Sequence, residues 1–160
     1  MKHLLLIRHA KAEPDSPHGD FERALSAKGI KQATELAGKL NQYNIIPHAI
    51  VCSPAMRTIT TAQILANELH LSEPHTDPAI YEASEHTLLK VINRFPDEHD
   101  FTALVGHNPG ISYLLLGLSG EIRDVPPCTA ILVTFEVDSW QTVSSGSGSI
   151  AYYTSPKEAN

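Results

Sequence analysis

Residues 4–10, LLLIRHA, join an uninterrupted apolar run to an arginine and a histidine near the start of the chain. Four consecutive aliphatic side chains, from Leu4 to Ile7, are typical of a strand that is buried on both faces of a parallel sheet. Arg8 and His9 stand where this strand is predicted to end. Ligands bind beyond the carboxyl ends of the strands in such sheets, so this junction is a candidate functional site.

Two further apolar runs end in the same way, each followed by a polar motif. Ala49 to Cys52 leads into SPAMRT at residues 53–58, and Phe101 to Val105 leads into GHNPG at residues 106–110. Because the carboxyl ends of parallel strands share one edge of a sheet, the three motifs are expected to converge. The converging side chains would be two arginines and two histidines, namely Arg8, Arg57, His9 and His107.

Apolar residues at helical spacing predict a helix after each of these strands and one more between the second and the third. The predicted helices run from Ser26 to about Tyr43, from Ser53-Pro54 to Leu69, from Ser84 to about Arg94, and from about residue 109 to Leu118. Ser26, Ser53 and Ser84 are the predicted N-caps, because a serine hydroxyl can accept from the unpaired N–H groups of the first turn.

The remaining segments complete the predicted architecture. Residues 11–25 and 72–83 are predicted loops, the second with a short extended piece near Ala79 to Tyr81. Ala130 to Val137 and Ser149 to Thr154 are predicted strands around a Ser/Gly-rich turn. Strands alternating with helices predict an α/β fold, with a mostly parallel central sheet, helices on both faces and the C-terminal strands near the sheet edge. We expect residues 1–160 to form a single domain.

Composition argues against several classes of function. The chain has 160 residues, 42% of them hydrophobic, and a formal net charge of −6 without a basic run to offset it. This acidic balance argues against nucleic acid as a partner. The apolar run at residues 4–7 is far shorter than the core of a signal peptide, and no segment approaches a membrane-spanning length. We therefore expect a cytoplasmic protein that has no membrane partner.

The four converging side chains have a chemistry that suits a phosphoryl group. Guanidinium groups offer planar, permanently charged pairs of donors to phosphate oxygens. An imidazole can act as a nucleophile or as a hydrogen-bond donor. Helices beginning near residues 54 and 109 would add oriented backbone N–H groups. Because two arginines already supply the positive charge that a metal ion would provide, we expect no metal and no organic cofactor.

In order and spacing, the three motifs resemble those of the histidine phosphatase (phosphoglycerate mutase-like) superfamily. Arg8-His9 resembles its Arg-His-Gly signature, with Ala10 in place of the glycine. Residues 53–62, SPAMRTITTA, resemble its second motif, and Gly106-His107 resembles its third. Alanine tolerates a positive φ poorly, so Ala10 predicts that the backbone at this position does not require one.

A closer resemblance is to the small bacterial branch of this superfamily, the SixA-type phosphohistidine phosphatases. The opening RHAK at residues 8–11, the DFERAL segment at residues 20–25 and the short chain carry this likeness. It implies hydrolysis of phosphohistidine on a partner protein. Larger relatives enclose small substrates with insertions, whereas this chain has no spare length for a lid. An open site could admit a protruding phosphorylated side chain.

The resemblance also implies a role for each residue of the three motifs. His9 would attack phosphorus with an unprotonated ring nitrogen, while its other nitrogen is held by a backbone acceptor. Arg8 and Arg57 would bind the phosphoryl oxygens and neutralise charge as the bond breaks. His107 would donate a hydrogen bond to the same oxygens as an imidazolium. Ser53 either orients phosphate or caps its helix, and the cap is the favoured role.

Three further residues are weaker candidates. Arg23 is either a third phosphate ligand or a loop arginine paired with Asp20 or Glu22. Asn108 is predicted to line the pocket. Glu82 occupies the place where larger relatives carry the glutamate that protonates the leaving oxygen, so it is the candidate proton donor. Its alternative is a surface carboxylate without a catalytic role.

Two other functions fit the same residues. The first is hydrolysis of a small phosphate monoester by the same His9 chemistry, with the ester in place of a phosphorylated protein. The second is a phosphoryl-binding module without catalysis, which would keep Arg8 and Arg57 but would not need a nucleophile. Mutase activity is disfavoured, because retaining a small intermediate for return transfer requires an enclosed site.

Overall fold

The computed structural model describes residues 1–156, which contain six strands and four α-helices. The strands are β1 (Lys2–Arg8), β2 (Ala49–Cys52), β3 (His75–Thr76), β4 (Phe101–Gly106), β5 (Ala130–Phe135) and β6 (Gly148–Thr154). The helices are α1 (Ala27–Gln42), α2 (Met56–Glu68), α3 (Glu85–Asn93) and α4 (Gly110–Ser119). The predicted domain of residues 1–160 includes residues 157–160, which lie outside the described part of the chain.

The strands form one mixed sheet in the order β3-β2-β4-β1-β5-β6. The pairs β2–β3, β2–β4 and β1–β4 are parallel, whereas β1–β5 and β5–β6 are antiparallel. The predicted α/β class, with a mostly parallel sheet and the C-terminal strands at one edge, is therefore confirmed. The register aligns the strand ends, because Arg8 lies opposite Gly106 and Cys52 opposite Val105.

Helices cover both faces of the sheet, as the sequence predicts. Leu5 and Ile7 of β1 belong to a core with α1 and α2, whereas Leu4 and Leu6 belong to a second core with α3 and α4. Successive side chains of a strand point to opposite faces, so a strand that serves two cores must be apolar throughout. All four side chains are at most 1% exposed, which accounts for the run at residues 4–7.

Two of the three predicted N-caps are confirmed. Ser26 accepts from Gly29 N at the start of α1, and Ser84 accepts from Thr87 N at the start of α3. The prediction for Ser53 is wrong, because α2 begins only at Met56 and has Ala55 at its N-cap.

The extended piece predicted near Ala79 to Tyr81 is also wrong. Residues Pro78–Ile80 form a 3₁₀ turn, and the strand β3 lies earlier, at His75–Thr76. The Asp77 carboxylate accepts from Ala79 N over 2.9 Å and Pro78 has a fixed φ, so this sequence closes a turn instead of extending a strand. Within residues 1–156, no helix combines the length and the apolar character needed to cross a membrane.

Candidate active site

The three polar motifs meet at one edge of the sheet, beyond the carboxyl ends of β1, β2 and β4. Arg8 ends β1 and His9 follows it, His107 follows β4, and Arg57 lies in the first turn of α2. The rings of His9 and His107 have centroids 5.4 Å apart. His9 is 7% exposed and Arg57 only 5% exposed. The structure thus brings together the four residues that the sequence singled out.

His9 is held in one orientation by the backbone carbonyl of the next residue. Its Nδ1 lies 2.7 Å from the carbonyl oxygen of Ala10, which can only accept, so Nδ1 carries the proton and Nε2 is left unprotonated. Burial, together with the positive charges of Arg57 and Arg8, lowers the pKa of His9 to about 4, although the Ala10 contact acts to raise it. The ring is therefore neutral at physiological pH.

The segment after His9 is fixed by a contact with α2. The hydroxyl of Thr61 accepts from Ala10 N over 3.0 Å and donates to the carbonyl of Arg57 over 2.8 Å. This bridge ties the His9 segment to the helix that carries Arg57. Ala10 is not among the described residues with a positive φ, as its identity predicted.

Arg8 and Arg57 present guanidinium groups with unused donors. Arg8 Nη1 donates to the carbonyl of Val125 over 2.9 Å, and burial, followed by the charge of Arg57, lowers the pKa of Arg8. The Nε atoms of Arg8 and Arg57 are both buried and have no hydrogen-bond partner among residues 1–156. Buried polar atoms are normally paired, so these donors indicate a site for an anionic group.

His107 contacts both Ser53 and Arg57. Its Nε2 lies 2.8 Å from Ser53 Oγ and its Nδ1 lies 3.4 Å from Arg57 Nη2. A guanidinium can only donate, so Nδ1 is the acceptor and Nε2 donates to the serine. Burial, then the proximity of His9 and Arg57, lowers the pKa of His107 to about 3. His107 is therefore uncharged at neutral pH in this arrangement, and its role as an imidazolium that donates to a bound phosphoryl group stays a prediction.

The Asp20 carboxylate closes one side of the site. Its Oδ2 accepts from Tyr81 Oη over 2.7 Å and from Arg57 Nη2 over 3.1 Å, and its backbone carbonyl accepts from Arg57 Nη1 over 2.8 Å. Its Oδ1 accepts from Arg23 Nε over 2.9 Å. The Tyr81 hydrogen bond and the two arginines lower the pKa of Asp20 to about 2. Of the two readings of Arg23, the structure contains the pairing with Asp20, and a phosphate contact stays a prediction.

A cavity of about 540 Å³ opens beside Arg57 and His107. Glu82 and Asn108 both line it; Asn108 was predicted to line the pocket, whereas the role of Glu82 as proton donor stays a prediction. Asn108 is anchored, because its Nδ2 donates to the Val125 carbonyl over 3.1 Å and its Oδ1 accepts from Ser112. Glu82 has a φ of 54°, a left-handed conformation that is uncommon for a residue other than glycine.

Comparison with known proteins agrees with this geometry. The family model of the histidine phosphatase superfamily (branch 1) matches residues 4–103. The chain belongs to the histidine phosphatase superfamily. The uncharacterized protein Rv1276c of Mycobacterium tuberculosis is 27% identical over 161 residues, which cover 94% of this chain and 100% of that protein.

Solved structures with the same fold include two proteins proposed to be the phosphohistidine phosphatase SixA. That of Agrobacterium tumefaciens superposes with a TM-score of 0.83 and 23% identity, over 97% of this chain and 98% of the other. That of Nakamurella multipartitia superposes with a TM-score of 0.84 and 22% identity, over 97% of this chain and 96% of the other. At these identities the likeness shows a common fold.

Sequence reasoning missed Asp20 and Tyr81 as parts of the site of this histidine phosphatase, and it favoured a helix cap over a role in the site for Ser53. Asp20 accepts from Arg57 and from Tyr81, so Tyr81 acts on Arg57 through Asp20. Ser53 accepts from His107 instead of capping a helix. For Asp20 a signal existed, because Asp and Arg three residues apart in one turn can pair and Arg23 was already a candidate. Tyr81 and Ser53 meet their partners only through contacts 54 or more residues apart in sequence, which spacing cannot reveal.

Proposed function

We propose that this histidine phosphatase hydrolyses phosphohistidine on a partner protein, with His9 as the nucleophile. The observation that carries the proposal is the 2.7 Å contact between His9 Nδ1 and the Ala10 carbonyl. It places the ring proton on Nδ1 and leaves the Nε2 lone pair free, and the low pKa of His9 keeps it free at neutral pH. A buried, oriented and unprotonated imidazole next to two arginines is suited to attack on phosphorus.

Charge on the phosphoryl group would be balanced by the two guanidinium groups. The Nε atoms of both arginines are buried without a partner among residues 1–156, and the charges of both arginines act on the neighbouring His9, whose pKa they lower. Donors fixed before the reaction stabilise the charge of the transition state without reorganising. A bound phosphoryl dianion would also raise the pKa of His107, so that its Nδ1 gains a proton and donates to a phosphoryl oxygen.

The reaction runs in two displacements. In the first, His9 Nε2 forms a bond to phosphorus while the bond from phosphorus to the substrate nitrogen breaks, and the substrate imidazole leaves with the electron pair. In the second, a water oxygen attacks the phosphorus of phospho-His9. The bond to Nε2 breaks, the water proton passes to phosphate or solvent, and neutral His9 is restored.

Leaving-group chemistry favours phosphohistidine over an ester. A histidine whose other ring nitrogen is protonated leaves as neutral imidazole, whose conjugate acid has a pKa of about 6.5, so no strong acid is needed. An alkoxide is far more basic and requires a proton from the enzyme. Hydrolysis of a small phosphate ester remains the second candidate, because Glu82 lines the cavity and would be the donor.

Rapid-quench trapping tests the proposal. The protein is mixed with a phosphorylated histidine-containing domain or with an aryl phosphate, and acid-labile phosphate on His9 and turnover are measured. We expect trapping and much faster turnover of the protein substrate. Trapping with the ester alone would assign a small-molecule phosphatase, and absence of both trapping and turnover would favour a binding module.

Variants locate the nucleophile in the same experiment. His9→Ala should abolish both trapping and hydrolysis, while phosphate binding at the two arginines persists. His75→Ala is the matched control, because His75 is an exposed histidine on β3, outside the site. Full activity of His9→Ala would contradict the assignment.

A further inference from the structure

The cavity next to the phosphoryl site has an acidic wall. The residues that line it include three carboxylates, Asp20, Glu82 and Glu85, of which Asp20 is paired with Arg57 and Arg23. Glu82 and Glu85 are exposed, so they are the carboxylates in this cavity that are available to a substrate. This cavity is lined by Arg57 and His107 but not by His9 or Arg8, so it is suited to the part of the substrate beyond the phosphoryl group.

Arg57 lines the same cavity and keeps an unsatisfied donor within the described part of the chain. Arg57 is 5% exposed, and its buried Nε has no hydrogen-bond partner in the described part of the chain. An unpaired buried guanidinium nitrogen points to an anionic ligand beside Arg57. The site therefore combines two charges. Arg57 provides positive charge for one anionic group, and Glu82 and Glu85 provide negative charge around the rest of the substrate.

We propose that this acidic wall makes the enzyme selective for phosphohistidine in a basic segment and against substrates with a second anionic group. The inference rests on the proposed function and names its substrate class. Lysine or arginine beside the phosphohistidine would approach Glu82 and Glu85, whereas a second phosphate or a carboxylate would be repelled. Tyr113, 56% exposed on the same wall, offers an aromatic face to such a cation.

Matched substrates test the selectivity directly. One pair consists of phosphohistidine peptides that differ only in two flanking lysines or two flanking glutamates. The other pair consists of aryl phosphates that carry an ammonium or a carboxylate substituent. Each exposed charge pair should change kcat/KM by roughly two- to fivefold, so the peptide pair should differ by roughly tenfold at low salt. Raising the ionic strength from about 0.1 to 1 M shortens the Debye length to about 3 Å and should largely abolish the difference.

Charge-reversal variants test whether the acidic wall causes the difference in kcat/KM within each substrate pair. Glu85→Lys should reduce or invert the preference within each pair, and Glu85→Gln should give an intermediate ratio if the lysine variant folds poorly. Glu136→Lys is the matched control, because Glu136 is exposed and lies outside the cavity. Its ratio should equal that of the wild type.

The outcomes separate this inference from the proposed function. Equal rates within the pairs, or faster turnover of the anionic members, would overturn the selectivity whichever class of substrate reacts. If the peptides are not turned over but the cationic aryl phosphate is still preferred, phosphohistidine is not the substrate. The charge selectivity attributed to the acidic wall would then be supported. Absence of turnover with all four substrates would overturn both.

Discussion

The hydroxyl of Tyr81 donates a 2.7 Å hydrogen bond to the carboxylate of Asp20, which in turn pairs with Arg57 over 3.1 Å. This chain of contacts joins the loop after β1, the loop after β3 and the start of α2. It holds both Nη atoms of a guanidinium whose Nε is buried without a partner among residues 1–156. Arg57 is thus oriented by residues that lie outside the three sequence motifs.

Asp20→Asn should separate binding from turnover. The variant keeps the backbone carbonyl that accepts from Arg57 Nη1 but loses the charged acceptor of Nη2. We expect kcat to fall roughly tenfold, because a hydrogen bond to a charged group is weakened and Arg57 is held less firmly. Inhibition by inorganic phosphate should be as strong or stronger, because a negative charge beside Arg57 is gone. Steady-state kinetics with phosphate as inhibitor measures both, and an unchanged kcat would rule out a positioning role.

Tyr81→Phe should raise the pKa of Asp20 from about 2 toward its ordinary value, because the tyrosine hydrogen bond is the largest cause of its depression. A carboxyl with a depressed folded-state pKa stabilises the protein above its ordinary pKa of about 3.9 and loses that contribution as pH falls toward 2. Acid unfolding of the variant should therefore begin at a higher pH. Carboxyl NMR titration and acid unfolding monitor the change, and Tyr43→Phe, at an exposed tyrosine, serves as control. An unshifted Asp20 titration would contradict this account.

His9 should titrate near pH 4, well below the ordinary histidine value of about 6.5. Its folded-state pKa is depressed, so the unfolded chain binds more protons between these values and stability falls as pH is lowered from about 6.5 toward 4. At pH 5 the ring would be roughly 90% neutral instead of roughly 3%. Proton NMR of the imidazole signals, assigned with His9→Ala, gives the midpoint. A midpoint near 6.5 would remove the physical basis for an unprotonated nucleophile through the physiological range.

The elements that sequence predicted best are those whose signal is local. The strand β1 is encoded by consecutive apolar residues, and the hydroxyls of Ser26 and Ser84 accept from backbone N–H groups three residues later in the chain. The structure agrees with all three predictions. The convergence of Arg8, His9, Arg57 and His107 follows from one topological rule, that parallel strands place their carboxyl ends together.

The parts that sequence could not predict depend on partners far away in the chain. Ser53 has the residue type of a cap but accepts from His107, 54 positions later. Tyr81 contacts Asp20 across 61 positions, and the low pKa of His107 arises chiefly from burial, which composition does not reveal. Proton state and orientation at this site are tertiary properties, and they decide which nitrogen is available to react.

Ser53→Ala should distinguish a cap from a positioning residue. Ser53 is fully buried, and its Oγ accepts both from His107 Nε2 and from Ala55 N. Removing it leaves the imidazole donor unpaired, so we expect kcat/KM to fall roughly tenfold and the NMR titration of His107 to change. Ser26→Ala removes a true N-cap and should cost about 1 kcal/mol of stability without affecting activity. Loss of stability without a change in kcat/KM for Ser53→Ala would contradict the positioning role.

Two glycines of α1 should respond to alanine in opposite directions. A Cβ on Gly29 would collide with the backbone carbonyl of Lys11, whereas one on Gly38 would meet no atom within 4 Å. Gly38→Ala should therefore raise the free energy of unfolding by about 0.5–1 kcal/mol through helix propensity. Gly29→Ala should lower it by about 1–3 kcal/mol, because the helix must move away from the loop that begins after His9. Urea unfolding gives both values, and phosphatase activity should fall only in Gly29→Ala, since this loop carries Asp20. A neutral Gly29→Ala would show that α1 does not fix the position of the loop.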